Sequence, residues 1–131
     1  MLPLLIEQTD FSPLVNFNPT AFKFEIRGES RPENTSKFYG VVINWIVDFQ
    51  SHLAKNPSTK HLVFEFNFDY FNSTSAKFIL DLLRQIEVLQ IKNAEMNISI
   101  QWQYDALDED MHDSGEEFSH LVKLPFEFVV N

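Results

Sequence analysis

Cysteine is absent from this 131-residue chain, and only three glycines occur in it. Without cysteine the chain has no disulfides, thiolate metal sites or cysteine nucleophiles. Scarce glycine disfavours a nucleotide site, because phosphate-binding loops need glycines where the backbone approaches the ligand. The chain also lacks a GxSxG motif and a pair of histidines at zinc-binding spacing. The sequence therefore predicts a protein that is not an enzyme and holds no metal or cofactor.

Positive charge is also in short supply. The chain has 10 Lys and Arg against 19 Asp and Glu, which gives a formal net charge of −9. Nucleic-acid binding needs basic residues that replace the counterions of the phosphates, and an anionic membrane would repel an acidic surface. We therefore expect neither kind of partner. The acidic excess leaves two interpretations open, a charge that keeps the protein soluble and a surface for a basic protein partner.

Long hydrophobic runs are missing as well. The apolar stretch at the N-terminus has no basic leader and ends at Glu7, whereas a membrane-spanning helix needs about 20 apolar residues. We expect a cytoplasmic protein. The length suits a single domain, residues 1–131, and 44% hydrophobic residues, with 14 Phe among them, are enough for one core.

Three segments alternate apolar and polar residues with a period of two, which predicts β-strands. They cover residues 20–27, 61–71 and 97–104. Their apolar sets are Phe22, Phe24 and Ile26, then Leu62, Phe64, Phe66, Phe68 and Tyr70, then Ile98, Ile100, Trp102 and Tyr104. A sheet covered by helices on both faces would be apolar on both. The alternation therefore predicts helices on one face and a polar surface on the other.

Apolar residues recur at spacings of three and four in residues 36–54, 74–93 and, more weakly, 107–120, which predicts three helices. The stripe of the first helix consists of Phe38, Val41, Val42, Trp45, Ile46, Phe49 and Leu53. Residues 4–17 are expected to form edge strands or a hairpin, and residues 126–130 a last strand. Right-handed crossovers keep successive helices on one face of a sheet when the strands advance in one direction. The predicted fold class is therefore α/β, a two-layer fold with a mixed sheet and about three helices on one face.

A run of four polar residues, the 72–75 segment, joins a predicted strand to the second predicted helix. It consists of Asn72, Ser73, Thr74 and Ser75. One interpretation is a helix N-cap, whose side-chain oxygen accepts a hydrogen bond from a first-turn N–H and contributes about 1 kcal/mol. Another is a phosphorylation site, because three hydroxyls exceed what one cap needs and a helix N-terminus tolerates a phosphate. The two interpretations are compatible.

Two further segments contain polar or charged residues in patterns that could have a chemical role. The 28–34 segment, GESRPEN, reads as a loop from a strand to the first helix, in which Gly28 permits a tight turn and Pro32 keeps Arg31 extended. Residues 105–117 contain seven carboxylates, which form either a solvated helix face or a divalent-cation site of a small metal-assisted hydrolase. Their spacing matches no calcium loop, so the solvated face is the prediction.

In their order and spacing these segments resemble the SiaC family of regulatory phosphoproteins, which has a STAS-like architecture related to anti-anti-sigma factors. The resemblance covers nearly the whole chain. It rests on the 28–34 segment before an aromatic-rich helix with Trp45, the 72–75 segment followed by Lys77, Trp102-x-Tyr104-Asp105, and Gly115-Glu116-Glu117-Phe118 before Leu124-Pro125-Phe126-Glu127.

The resemblance implies a binding protein that is switched by phosphorylation. The unphosphorylated form would bind and activate a diguanylate cyclase, and a dedicated kinase and a PP2C-type phosphatase would add and remove the phosphate. The family's phosphorylated threonine directly follows the asparagine, a position that Ser73 holds here, while Thr74 is one place later. Ser73 is therefore the first predicted phosphorylation site and Thr74 the second.

The resemblance also implies where the partner binds. Both polar segments would leave strands at the carboxyl edge of the sheet, where α/β proteins commonly bind ligands and partners. The predicted partner-binding residues are Gly28, Ser30, Arg31, Pro32, Glu33, Asn34, Asn72, Ser75 and Lys77. We expect a monomer or a weak dimer. The other function class left open is an unphosphorylated scaffold module that binds through the polar sheet face.

Overall fold

The computed structural model of the protein describes residues 1–58 and 60–131. Along this part of the chain, strands and helices follow one another in an order close to the predicted one. They are β1 (Leu4–Ile6), β2 (Leu14–Asn18), β3 (Lys23–Ser30), α1 (Thr35–Lys55), β4 (His61–Phe71), α2 (Ser73–Lys92), β5 (Asn97–Tyr104), α3 (Glu109–Leu121) and β6 (Phe126–Val130).

The strands form one mixed sheet in the order of the sequence, β1-β2-β3-β4-β5-β6. The first three are antiparallel neighbours, and β3 to β6 run parallel to one another. A helix joins each parallel pair, so the strands advance in one direction and right-handed crossovers bring all three helices to one face. The predicted α/β class with a mixed sheet is confirmed.

Aromatic side chains fill the layer between the sheet and the helices. The ring centroid of Phe24 in β3 lies 4.9 Å from that of Phe64 in β4 and 5.5 Å from that of Phe49 in α1. Further along, Trp102 in β5 stacks on Phe66 with centroids 5.9 Å apart. Such pairs add about 0.5–1.5 kcal/mol each to the free energy gained by burial. The alternation that predicted the strands therefore marks the residues that form the core.

The opposite face of the sheet is polar, as the alternation predicted. Lys23 Nζ lies 2.9 Å from the carboxylate of Glu65 on the neighbouring strand. The hydrogen bond that Lys23 donates to Glu65 raises the pKa of Lys23 above its usual value. Gln103 donates a hydrogen bond of 3.4 Å to Glu65 from the next strand along. Charged and amide side chains therefore cross the strands here with no helix over them.

Two predicted core positions lie at the surface instead. Tyr70 is 48% exposed, because the register between β3 and β4 shifts beside it and interrupts the alternation. Val41 is also 48% exposed, and Tyr39 is buried in the first turns of α1. The true apolar stripe of α1 is therefore rotated slightly from the predicted one.

The bounds of β4, β5 and β6 agree with the prediction, whereas those of β3 and α3 differ. β3 begins at Lys23 because Phe22 has a φ of 53°, which takes the backbone out of the extended region. α3 begins at Glu109 because the Asp108 side chain caps it, accepting from the N–H of Met111 at 3.0 Å. No helix within residues 1–58 and 60–131 is long and apolar enough to cross a membrane.

Candidate functional site

Helix α2 starts directly after β4, and the 72–75 segment forms its cap and first turn. Asn72 is the N-cap, and its side-chain oxygen accepts a hydrogen bond of 2.8 Å from the backbone N–H of Ser75. The predicted cap is confirmed. Ser73 and Thr74 are exposed, whereas Ser75 is fully buried. The three hydroxyls therefore divide into two on the surface and one in the core.

Ser75 belongs to a chain of buried hydroxyls that connects β3, α1 and α2. Its Oγ donates to the backbone carbonyl of Ser30 and accepts from Ser30 Oγ, each at 2.9 Å. Because that bond uses the one proton of Ser30 Oγ, the Tyr39 hydroxyl must donate to Ser30 Oγ, at 2.6 Å. Burial raises the pKa of Tyr39 well above its usual value, so the phenol keeps its proton at neutral pH.

The carbonyl of Ser30 is shared by two donors from the 72–75 segment. Besides the Ser75 hydroxyl, the backbone N–H of Asn72 donates to it at 3.1 Å. The end of β3 and the first turn of α2 are therefore held together by a backbone bond and a side-chain bond to the same oxygen. The first turn of α2, which includes the exposed Ser73 and Thr74, is therefore anchored to the end of β3.

The burial of Ser30 and Ser75 corrects part of the prediction. Both were expected to contact a partner, but each has a relative exposure of 0%, so neither lies on a surface that a partner can reach. Their hydroxyls join two segments of the chain instead. The sequence reasoning also missed Tyr39, although its position three residues before Val42 places it on the buried stripe of α1.

The first part of the 28–34 segment is strand, which was expected to be loop. β3 continues to Ser30, and Gly28 within it is buried. Gly28 has a φ of 109°, and the register against β4 shifts directly after it. A residue with a Cβ would be strained in this conformation. Glycine is therefore needed for an irregularity inside a strand, not for the predicted tight turn, and Gly28 is buried although it was expected to contact a partner.

The rest of the 28–34 segment is fixed by the N-terminal loop and by α1. The Arg31 N–H donates to the carbonyl of Phe11 at 2.8 Å, and its guanidinium lies 4.5 Å from the centre of the Phe11 ring. Arg31 Nε also pairs with the Glu29 carboxylate at 2.6 Å. Asn34 caps α1 by accepting from the N–H of Lys37 at 3.1 Å. The segment therefore presents its side chains from an ordered backbone.

A cleft separates the starts of α1 and α2 and brings the two segments to one surface. Its volume is about 610 Å³. It is lined by Glu33, Asn34, Thr35, Ser36, Thr74 and Phe78. A more apolar groove of about 410 Å³ adjoins it along α1, shares Glu33 and Asn34, and reaches Phe11, Phe38 and Val41. The expected meeting of both segments at the carboxyl edge of the parallel strands is therefore present, and we call this surface the switch edge.

Of the remaining predicted residues, Pro32, Glu33, Asn34 and Thr74 line the cleft or the groove of the switch edge. Exposed are Arg31, Glu33, Asn34, Ser73, Thr74 and Lys77, and half-buried are Pro32 and Asn72. Eight residues of the predicted set are therefore accessible to a partner.

The acidic residues 105–117 lie in the loop after β5 and in α3. His112 is the residue with the most interactions there, with Nδ1 3.3 Å from the Asp113 carboxylate and Nε2 3.4 Å from that of Glu116. Its ring also packs against Tyr104 and Phe128, with centroids 5.0 and 5.3 Å away. Within residues 1–58 and 60–131, no three His, Asp or Glu side chains are grouped so as to hold a metal ion.

A six-stranded sheet with helices on one face and this polar edge is the fold of known signalling regulators. The crystal structure of apo-SiaC from Pseudomonas aeruginosa has a TM-score of 0.82 with this chain, at 26% identity, and the match covers 98% of this chain and 99% of that one. A structure described as diguanylate cyclase SiaD in complex with its activator SiaC, from the same organism, gives a TM-score of 0.83 at 26% identity, with the same coverage.

The sequence comparison agrees with the structural one. Residues 6–131 match the family described as SiaC family regulatory phosphoprotein. A protein of Pseudomonas aeruginosa strain UCBPP-PA14, described as uncharacterized, is 27% identical over 126 residues, which make up 96% of this chain and 94% of that protein. The chain belongs to the SiaC family, as the resemblance of its segments predicted.

Proposed function

We propose that this chain is a cytoplasmic, non-enzymatic activator of a diguanylate cyclase, released from its partner by phosphorylation of Ser73. Membership of a regulatory phosphoprotein family supports the regulatory role, and a solved relative is described as the activator SiaC in complex with the cyclase SiaD. The observation that carries the site is the exposure of Ser73 on the first turn of α2, directly after Asn72, whose N–H bonds to Ser30 of the 28–34 segment. Thr74 is the second candidate.

The reversible step requires a kinase and a phosphatase. A cognate kinase would transfer the γ-phosphoryl group of ATP to Ser73 Oγ, with loss of the hydroxyl proton and release of ADP. A PP2C-type phosphatase would hydrolyse the ester and restore the serine. The exposed Ser73 can enter a kinase active site, whereas Ser75 in the core cannot do so without unfolding of the first turn.

The phosphate would act on the switch edge through its charge. It adds about −1.5 to −2 charges at neutral pH and three strong acceptor oxygens. The fold tolerates this charge because the first turn of a helix has unpaired N–H groups and a positive dipole end. A partner that docks on this edge would have to desolvate the phosphate. We therefore expect the unmodified chain to bind and the phosphorylated chain to be released.

Peptide mapping after treatment with the cognate kinase and ATP tests the site. One added phosphate is expected on the peptide that carries Ser73. The Ser73→Ala variant should lose it, and Thr74→Ala should keep it. A phosphate outside residues 73–75 would contradict the proposed site.

Calorimetric titration against the cyclase tests the switch. The unmodified chain and Ser73→Ala should bind with equal affinity, and the phosphorylated chain should bind at least about tenfold more weakly, which is about 1.4 kcal/mol. Ser73→Asp is a weaker substitute, since a carboxylate has less charge than a phosphate. Equal affinity of the phosphorylated and unmodified chains would rule out release by charge.

A further inference from the structure

The two candidate acceptors on α2 face in different directions. Successive residues of a helix advance by about 100°, so Ser73 lies about 160° around the axis from Ser75. Since Ser75 is fully buried, Ser73 lies near the middle of the exposed side of the helix. Thr74 lies about 100° from each and lines the cleft towards α1, as Glu33 does. A phosphate on one residue would therefore meet different neighbours from a phosphate on the other.

Basic side chains lie on the Ser73 side of the helix. Lys77 is four residues further on, one turn away and within about 40° around the axis, and Arg84 continues the same stripe. Both are exposed. The ion pairs formed within residues 1–58 and 60–131 involve neither of them.

The Thr74 side of the helix is apolar and acidic by comparison. Four residues after Thr74 comes Phe78, which also lines the cleft, and Asp81 is exposed one turn beyond it on the same side. Glu33 lines the same cleft as Thr74. A phosphate on Thr74 would have Phe78, not a cation, at the i+4 position, and Lys77 would be its i+3 neighbour, about 60° around the axis instead of about 40°.

We propose that Lys77 is the counter-ion of a phosphate on Ser73. This inference rests on the proposed function, whose regulation it specifies. An acidic group four residues before a basic one is the favourable orientation for a side-chain pair on a helix. The ammonium of Lys77 would donate to the phosphate oxygens in a charge-assisted hydrogen bond. Phosphorylation would then act in two ways, by adding negative charge and by engaging a lysine that the unmodified chain presents to its partner.

Phosphoserine placed at position 73 during translation, through an expanded genetic code, tests the pair without a kinase. A ³¹P NMR titration measures the second ionisation of the phosphate. Because Lys77 favours the dianion, Lys77→Gln should raise the pKa of the phosphate, which corresponds to a proton affinity about twofold higher. Lys77→Arg should restore the original curve, and Lys92→Gln, on the last turn of α2, is the matched control that should leave it unchanged. The effect should shrink at high salt.

Two results would overturn the inference. One is a titration curve of phosphoserine 73 that is the same with Lys77 and with Gln at that position. The other is a shift of the same size in Lys92→Gln, which would mean that the phosphate responds to the overall charge of the chain and not to Lys77. Either result would leave the proposed function intact, because the phosphate is not installed by the kinase. Failure of the kinase to modify Ser73, by contrast, would reject the proposed site whatever the titration shows.

Discussion

At the level of single residues, the hydroxyl of Ser75 both accepts a hydrogen bond from Ser30 and donates one to its carbonyl. Alanine at this position would leave the buried Ser30 hydroxyl without its acceptor, which costs about 1–3 kcal/mol, while the Ser30 carbonyl would keep the N–H of Asn72. We therefore expect Ser75→Ala to lower the free energy of unfolding by that amount in urea denaturation. Thr74→Ala, one residue earlier and exposed, is the control and should change it by less than about 0.5 kcal/mol. Equal free energies of unfolding for the two variants would mean that the chain of buried hydroxyls contributes nothing to stability.

Because of Tyr39, the contribution of this chain of buried hydroxyls to stability depends on pH. The pKa of Tyr39 is raised by burial, from an unfolded value of 10.0. In alkali the unfolded chain therefore loses this proton first, so the contribution of Tyr39 to stability is complete below pH 10 and falls as the pH rises above it. The free energy of unfolding should decrease above pH 10 by up to about 1.4 kcal/mol per pH unit more than in Tyr39→Phe. If the free energy of unfolding fell with pH equally in the parent protein and in Tyr39→Phe, this loss of stability could not come from Tyr39.

The sequence predicted Asn72 as a cap because the cap depends on neighbours three residues away, which the sequence itself displays. The burial of Ser75 depends on Ser30, which is 45 residues distant. No local pattern distinguishes a hydroxyl that faces solvent from one that a distant strand end covers. Sequence reasoning could therefore find the segment, but it could not divide the segment into surface and core.

At the level of secondary-structure elements, α3 packs on β5 through one glycine. A Cβ on Gly115 would lie 2.5 Å from Cδ1 of Trp102, whose ring also donates a hydrogen bond of 3.0 Å to the carbonyl of Met111. Overpacking of this kind costs about 1–3 kcal/mol, more than the gain of up to about 1 kcal/mol from replacing a helical glycine. Gly115→Ala should therefore lower the melting temperature.

Gly40 in α1 provides the matched comparison. A Cβ there would meet nothing within 4 Å, so Gly40→Ala should stabilise the protein by about 0.5–1 kcal/mol through helix propensity alone. Thermal unfolding followed by circular dichroism measures both variants. A melting temperature that rises in both would mean that α3 can move away from Trp102 at little cost.

The element types and most strand bounds were predictable from the sequence. Burial of one face of a strand makes apolar and polar residues alternate with a period of two, and this alternation is visible in the sequence. The failures occur where a tertiary contact overrides the period. Tyr70 follows the alternation but lies beside a register shift, and Phe22 follows it with a backbone that is no longer extended. The first deviation arises from pairing with a neighbouring strand, and the second arises in the turn between β2 and β3.

At the level of the whole molecule, the topology separates two surfaces that could bind a partner. The switch edge lies where β3 and β4 end and α1 and α2 begin, and the open sheet face lies on the side away from the helices. The proposed activator would use the edge, whereas a scaffold module would use the face. A net charge of −9 does not distinguish them, because acidic side chains occur on both.

Two tryptophan substitutions separate these alternatives. Glu33 lines the cleft of the switch edge, and Glu127 pairs in register with Gln101 on the polar sheet face. Both are exposed, so each change removes one charge and adds the same bulk at the surface. Glu33→Trp should weaken binding to the cyclase at least about tenfold, or about 1.4 kcal/mol, in a calorimetric titration, and Glu127→Trp should leave it unchanged. The reverse pattern, with both variants as stable in urea as the parent, would favour docking through the open sheet face.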